Sequence, residues 1–236
     1  MPFVLIVKTG DAFADVVSQY GDFDALFRAP LEAAAPKATV SVWDARHQAA
    51  PTLDGIDAIV ITGSHSMVSD AEPWSEALKP WLREAKRRDI ALLGVCYGHQ
   101  LMAAAFGGVS DYHPAGRESG TFELNLTREG QEDALFGALP TTFAANLTHA
   151  QAVLQAPTGA EVLAYNAHDP HQALRYGPRQ WSVQFHPEFG AGVMGCYLAH
   201  QRDALAEQGE DVQALIDGVR ATPEATGLLA RFVTLL

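Results

Sequence analysis

Cys96 stands between two glycines in Gly94-Val95-Cys96-Tyr97-Gly98, directly after the apolar run Ile90–Val95 and directly before a segment with helical character. This spacing is the cysteine form of a nucleophile elbow, a sharp strand-to-helix turn that holds the reactive side chain outward. Glycines suit the flanking positions because side chains there would collide with neighbouring backbone on so tight a turn. Such a position exposes the sulfur at the carboxyl end of a sheet and places it at a helix N-terminus, where the positive dipole end favours thiolate. It also leaves the Tyr97 N–H free to donate to an oxyanion. A buried structural cysteine is the competing explanation for a free thiol at a strand end.

A thiol nucleophile needs a base, and the base needs a group to orient it. His186 and Glu188 flank Pro187 at the end of a second apolar run, Trp181–Phe185. Read as extended chain, residues two apart face the same way, so imidazole and carboxylate project together. A strand-terminating turn accounts for His-Pro-Glu equally well. The loop Thr62-Gly63-Ser64-His65-Ser66 follows a third apolar run and offers the Gly63 N–H as a second oxyanion donor, or is a plain connection. Cys196 falls in a helical region and has no such surroundings.

The elements that must position these residues follow from apolar periodicity. Phe3–Val7, Thr39–Trp43, Asp57–Thr62 and Ile90–Val95 read as strands, the last apolar throughout. Between them lie a helix ending near Leu31–Ala35 and another over Pro73–Arg88, where Pro73 costs nothing at the helix start. A helix from Tyr97 to Phe106 follows the elbow. Strands buried on both faces and separated by helices predict a mainly parallel sheet in an α/β sandwich. Thr121–Leu126 and segments near Phe143, Val162 and Ala173–Tyr176 alternate between turns and predict added antiparallel strands. From about Gly192 the chain reads as a helical tail, with Pro223 as a breaker.

Composition narrows the function classes. The 236 residues fit one α/β domain, with two small domains as the alternative, and show no repeat or low-complexity linker. Sixteen Lys and Arg against 28 Asp and Glu leave a net charge of −12, which argues against a nucleic-acid partner. The basic run Lys86-Arg87-Arg88 suits the negative end of its helix. No apolar stretch is long enough to predict a membrane span, and the N-terminus lacks the pattern of a signal peptide, so a cytoplasmic location is expected. The two cysteines have neither metal-ligand nor redox spacing, and no cofactor is expected.

Together these motifs resemble the class I, triad-type glutamine amidotransferases, whose nucleophile segment reads G-[IV]-C-x-G-x-Q with H-P-E near the domain end. Here the counterparts are Gly94-Val95-Cys96-Tyr97-Gly98-His99-Gln100 and Phe185-His186-Pro187-Glu188, and the likeness covers about residues 3 to 190. It is similar above all to the amidotransferase domain of GMP synthases and to free-standing proteins related to it. The resemblance implies a flavodoxin-like three-layer sandwich, with residues 1–190 as the amidotransferase domain and 191–236 as a helical extension packed on it. It implies a Cys96–His186–Glu188 triad, an oxyanion hole from the Gly63 and Tyr97 N–H groups, and a glutamine pocket involving Gln100, Thr148 and His149. Thr148-His149-Ala150-Gln151 departs from the family's S-H-G-D at its last two positions. Arg117-Glu118-Ser119-Gly120 matches an E-x-G stretch and is expected to be structural. His99 is expected to pack, and His65 to sit in the oxyanion loop.

The implied reaction is release of ammonia from glutamine through a Cys-bound γ-glutamyl thioester. The sequence contains neither GxxxxGK[ST] nor an S-G-G-x-D-S loop, so the acceptor chemistry is expected on a separate synthetase subunit. Two other readings stand beside this one: a γ-glutamyl peptide hydrolase using the same triad, and a non-catalytic relative that binds a partner.

Overall fold

The computed structural model describes residues 1–236. The chain runs β1 (Phe3–Lys8), α1 (Ala14–Tyr20), α2 (Phe23–Ala34), β2 (Thr39–Asp44), β3 (Ala58–Ile61), α3 (Pro73–Arg87), β4 (Ala91–Val95) and α4 (Tyr97–Ala105). It continues through β5 (Val109–Tyr112), β6 (Glu118–Leu126), α5 (Arg128–Glu132), β7 (Thr142–His149), β8 (Gln151–Gln155), β9 (Glu161–Tyr165), β10 (Ala173–Gly177) and β11 (Gln180–Val183). Four helices close it: α6 (Ala191–His200), α7 (Arg202–Glu207), α8 (Val212–Asp217) and α9 (Pro223–Thr234).

Nine strands form one sheet in the order β2-β1-β3-β4-β11-β10-β9-β6-β7. The β2, β1, β3, β4 and β11 neighbours pair in parallel, and the pairs from β11 outward to β7 are antiparallel. Alternation along the parallel strands explains the layering. Val4, Ile6, Val60 and Leu93 point to one face and pack with Phe27 and Leu31 of α2 and Leu228 and Phe232 of α9. Leu5, Val7, Ile59, Ile61 and Leu92 point to the other and pack with Leu78 and Leu82 of α3 and Leu101 and Met102 of α4. Each such side chain contributes about 1.5–3 kcal/mol when fully buried. The result is the expected sandwich of helices around a sheet.

Several details differ from the sequence reading. β5 and β8 form a separate antiparallel pair beyond the strands expected from periodicity; β5 is mostly exposed, so it lacks the apolar signal of a buried strand. β11 ends at Val183, and His186–Glu188 lie in a turn closed by the Phe189 N–H donating to the His186 carbonyl. Pro223 opens α9 at a position where its missing N–H is harmless. Arg87 and Arg88 lie at the end of α3, where each also pairs with Glu84. No helix is long and apolar enough to cross a membrane.

Candidate active site

β3, β4 and β11 are adjacent and parallel, so the segments leaving their carboxyl ends converge. Gly63 follows β3, Cys96 follows β4, and His186 and Glu188 follow β11. This is the edge at which open α/β sheets form clefts. Cys96 has φ 51° and ψ −100°, a positive φ that costs a non-glycine residue on the order of 1–3 kcal/mol. The surrounding glycines make the turn feasible. A Cβ on Gly94 would lie 2.5 Å from the Gly98 carbonyl oxygen, and one on Gly98 would lie 2.7 Å from that of Ile61. The Cys96 N–H donates to the Val183 carbonyl at 2.9 Å, tying the elbow to β11. Tyr97 is the first residue of α4, so its N–H has no carbonyl partner within the helix.

His186 Nδ1 lies 2.7 Å from Glu188 Oε1, so the carboxylate accepts from the imidazole as an orienting group would. His186 is 2 % exposed and Glu188 8 %, so both members of the pair are buried. The Phe189 ring stacks on the imidazole at 4.1 Å between centroids and limits its rotation. Burial opposes the imidazolium, but the Glu188 carboxylate and then Cys96 outweigh it and push His186 up to about 10. Gly63 packs against the side chains of both His186 and Cys96: a Cβ there would fall 3.2 Å from His186 Cε1 and 3.7 Å from Cys96 Cβ. The Thr62 hydroxyl donates to the Gly63 carbonyl at 2.9 Å and fixes that loop.

Cys96 opens into a cavity of about 230 Å³ that Gln100, Thr148, His149 and His186 also line. The Thr148 carbonyl is 3.9 Å from Cys96 Sγ. Gln100 Nε2 donates to the Gln151 carbonyl at 2.7 Å and to Gln184 Oε1 at 3.0 Å, which leaves its own oxygen as the free polar atom. His149 is held from behind, with Nδ1 2.9 Å from the Gln151 carbonyl and Nε2 3.0 Å from Glu118 Oε2. Glu118 also accepts from Asn166 and Gln172. Burial would raise its carboxyl, but the bond and charge of His149 outweigh that and hold it low.

His99 is absent from the cavity wall: it is fully buried, Nδ1 lies 2.6 Å from Ser182 Oγ, and desolvation pushes it down to about 3. His65 lines the cavity, 3.1 Å from the Tyr197 hydroxyl and stacked on Phe13, and burial lowers its pKa. Cys196 lies in α6, outside the cavity. Arg117, Tyr197 and Gln201 line the cavity without having been singled out for it. Tyr197 and Gln201 come from the helical tail, where no local motif marks them. Arg117 lies in the stretch expected to be structural, although a cation preceding a strand of an acidic chain is a local signal. No group of three or more His, Cys, Asp or Glu side chains is arranged to hold a metal ion.

The sequence model for "Glutamine amidotransferase class-I" matches residues 22–202. A "GMP synthase [glutamine-hydrolyzing]" from Porphyromonas gingivalis is 33 % identical over 152 residues, covering 62 % of this chain and 28 % of that protein. The chain spans less than two-thirds of the length of the curated relatives it matches. Among solved structures, SMU.1228c superposes with a TM-score of 0.78 at 22 % identity, covering 100 % of this chain and 99 % of that one. A glutamine amidotransferase from Thermotoga maritima gives 0.74 at 18 % identity, covering 99 % and 96 %. These two likenesses are of fold.

Proposed function

From the premise that this chain belongs to the class-I glutamine amidotransferase family, we propose that it hydrolyses glutamine through a γ-glutamyl thioester on Cys96 and supplies the ammonia to a synthetase on another chain. The observation that carries the reading is the convergence of Cys96, on a strained elbow, with the hydrogen-bonded His186–Glu188 pair after the neighbouring parallel strand. The name of the Porphyromonas relative joins glutamine hydrolysis to a synthase, and the match covers only 28 % of that protein. This supports a division of labour between glutaminase and acceptor chemistry.

In this mechanism the Cys96 thiolate attacks the γ-carboxamide carbon, and the carbonyl oxygen takes the negative charge between the Gly63 and Tyr97 N–H groups. His186 gives its proton to the departing nitrogen, and ammonia leaves as the carbonyl re-forms. His186 then takes a proton from water, whose oxygen attacks the thioester, and returns it to the sulfur as glutamate leaves. Glu188 keeps Nδ1 protonated and the ring aligned throughout. Loss of one oxyanion donor in such a site costs about 10²–10³ in rate.

Rapid quenching with glutamine followed by intact-mass measurement is expected to show a γ-glutamyl adduct on Cys96. Cys96→Ala is expected to form no adduct and to release ammonia at the uncatalysed rate, with an unchanged circular dichroism spectrum. Turnover by that variant equal to wild type would refute the mechanism.

A γ-glutamyl peptide hydrolase is the second reading. It is favoured by the contribution of Tyr197 and Gln201, from the chain's own tail, to the cavity wall. Comparison of kcat/KM for glutamine and for γ-glutamyl dipeptides separates the two, with glutamine expected to be preferred.

A further inference from the structure

Arg117 differs from the other half-buried arginines of the chain. It is half-buried in the cavity wall, yet its guanidinium makes no hydrogen bond or ion pair with protein; only its backbone N–H is engaged, with Gln208 Oε1 at 3.3 Å. Arg46 and Arg175, equally restricted in exposure, are paired with Asp11 and Asp44 and with Asp133 and Glu161. Arg179 and Arg231 donate to backbone carbonyls, and Arg28 is near Glu32. In a chain with 28 acidic residues, a half-buried guanidinium that pairs with none of them, on the wall of the cavity that holds Cys96, is an unfilled demand for an anion.

A second donor lies on the same cavity wall. Gln201, at the junction of α6 and α7, accepts through Oε1 from the Ser119 hydroxyl at 3.1 Å and the Thr148 hydroxyl at 3.0 Å. These bonds orient the carboxamide and leave Nε2 without a protein acceptor. The Thr148 carbonyl is in turn 3.9 Å from Cys96 Sγ, so Gln201 is anchored to the strand end beside the nucleophile. A guanidinium presents parallel N–H groups that match a carboxylate, and an amide N–H adds a third.

We infer that Arg117 and Gln201 form a carboxylate subsite that selects γ-glutamyl substrates by an acid group away from the scissile amide. The inference rests on the γ-glutamyl chemistry proposed above and adds the residues that recognise the rest of the substrate. The carboxylate has two sources: the α-carboxylate of the glutamyl group, or the carboxylate of an amino acid serving as leaving group. Burial holds the Arg117 guanidinium below its ordinary value, and Cys96 acts in the opposite direction. A bound carboxylate would offset the cost of that burial.

The test uses the full chain, Arg117→Gln, Arg117→Lys and Gln201→Leu, with four amides. L-glutamine carries only the α-carboxylate, N-(4-aminobutanoyl)glycine only the leaving-group carboxylate, γ-glutamylglycine both, and 4-aminobutanamide neither. Arg117→Gln is expected to raise KM at least about tenfold for carboxylate-bearing substrates with little change in kcat, and to leave 4-aminobutanamide unaffected. Arg117→Lys should recover part of the loss, and Gln201→Leu should show a smaller loss of the same pattern. Loss confined to glutamine and γ-glutamylglycine assigns the α-carboxylate; loss confined to the two glycine amides assigns the leaving group.

Equal loss on all four amides, or no loss, overturns the subsite. So does slower alkylation of Cys96 by neutral iodoacetamide in Arg117→Gln, which would mean that the guanidinium serves the thiolate. Calorimetric binding of glutarate separates this proposal from the enzymatic one. If wild type turns over no amide yet binds glutarate at least about tenfold more tightly than Arg117→Gln, the subsite stands and the glutaminase reading falls. Without that difference both fall.

Discussion

At the residue scale, the proposed chemistry depends on how His186 is held. Glu188 accepts from Nδ1, Phe189 covers one ring face, and Gly63 leaves room at Cε1. Glu188→Gln keeps the shape but removes the charge that stabilises the imidazolium. The matching change in a serine triad costs about 10⁴ in kcat, and a loss of that order is expected here by ammonia-release assay. The same variant makes a pH prediction. His186 has its folded pKa raised, to about 10, so its stabilising contribution is complete below the unfolded value of about 6.5 and is lost as pH rises toward 10. The difference in Tm between wild type and Glu188→Gln is therefore expected to narrow steadily from pH 7 to about pH 10. A constant gap across that range would mean that Glu188 does not act through the imidazolium. Burial of Glu188, with Oε2 lacking any partner, also means that the substitution lowers stability as well as rate.

At the element scale, the elbow is built from close approaches. Gly98 lets α4 pass within contact of β3, and Gly94 lets β4 pass under the first turn of α4. Gly98→Ala puts a methyl group 2.7 Å from the Ile61 carbonyl oxygen, which backbone cannot easily yield. A destabilisation of about 1–3 kcal/mol, read from the urea midpoint, is expected, with a larger proportional loss of glutaminase activity because Cys96 shifts with the helix. The elbow was legible in sequence because an apolar run, two glycines and a helix pattern are local signals. The His-Pro-Glu segment was legible by composition but not by geometry. Alternation along an extended strand put His186 and Glu188 on one side, whereas β11 stops at Val183 and a turn brings them together. β5 and β8 escaped notice because a short pair with one mostly exposed strand leaves little apolar pattern.

At the scale of the whole molecule, the tail is part of the core. Leu228, Leu229, Phe232 and Val233 of α9 are buried against the same sheet face as Phe27 and Leu31. Together they contribute roughly 6–12 kcal/mol, comparable with the whole stability of a typical domain at about 5–15 kcal/mol. A chain ending at Thr222 is therefore expected to lose its cooperative thermal transition and to accumulate as insoluble protein. A soluble truncated chain with the wild-type Tm would contradict this. α6 acts differently: Tyr197 and Gln201 carry the tail into the cavity, so the last helices affect the site as well as the sheet.

The sequence by itself determined the strand-and-helix alternation, the glycine-flanked elbow that carries Cys96, and the kinship with class-I glutamine amidotransferases. Each depends on neighbours within a few residues, where periodicity, glycine spacing and turn chemistry leave a record. Only the tertiary structure decided that β11 lies beside β4, that Phe189 packs on the imidazole, and that Arg117 and Gln201 line one cavity. Those meetings depend on strand order and on where the tail folds back. Segments far apart in the chain contact one another through buried surface, which no local pattern encodes.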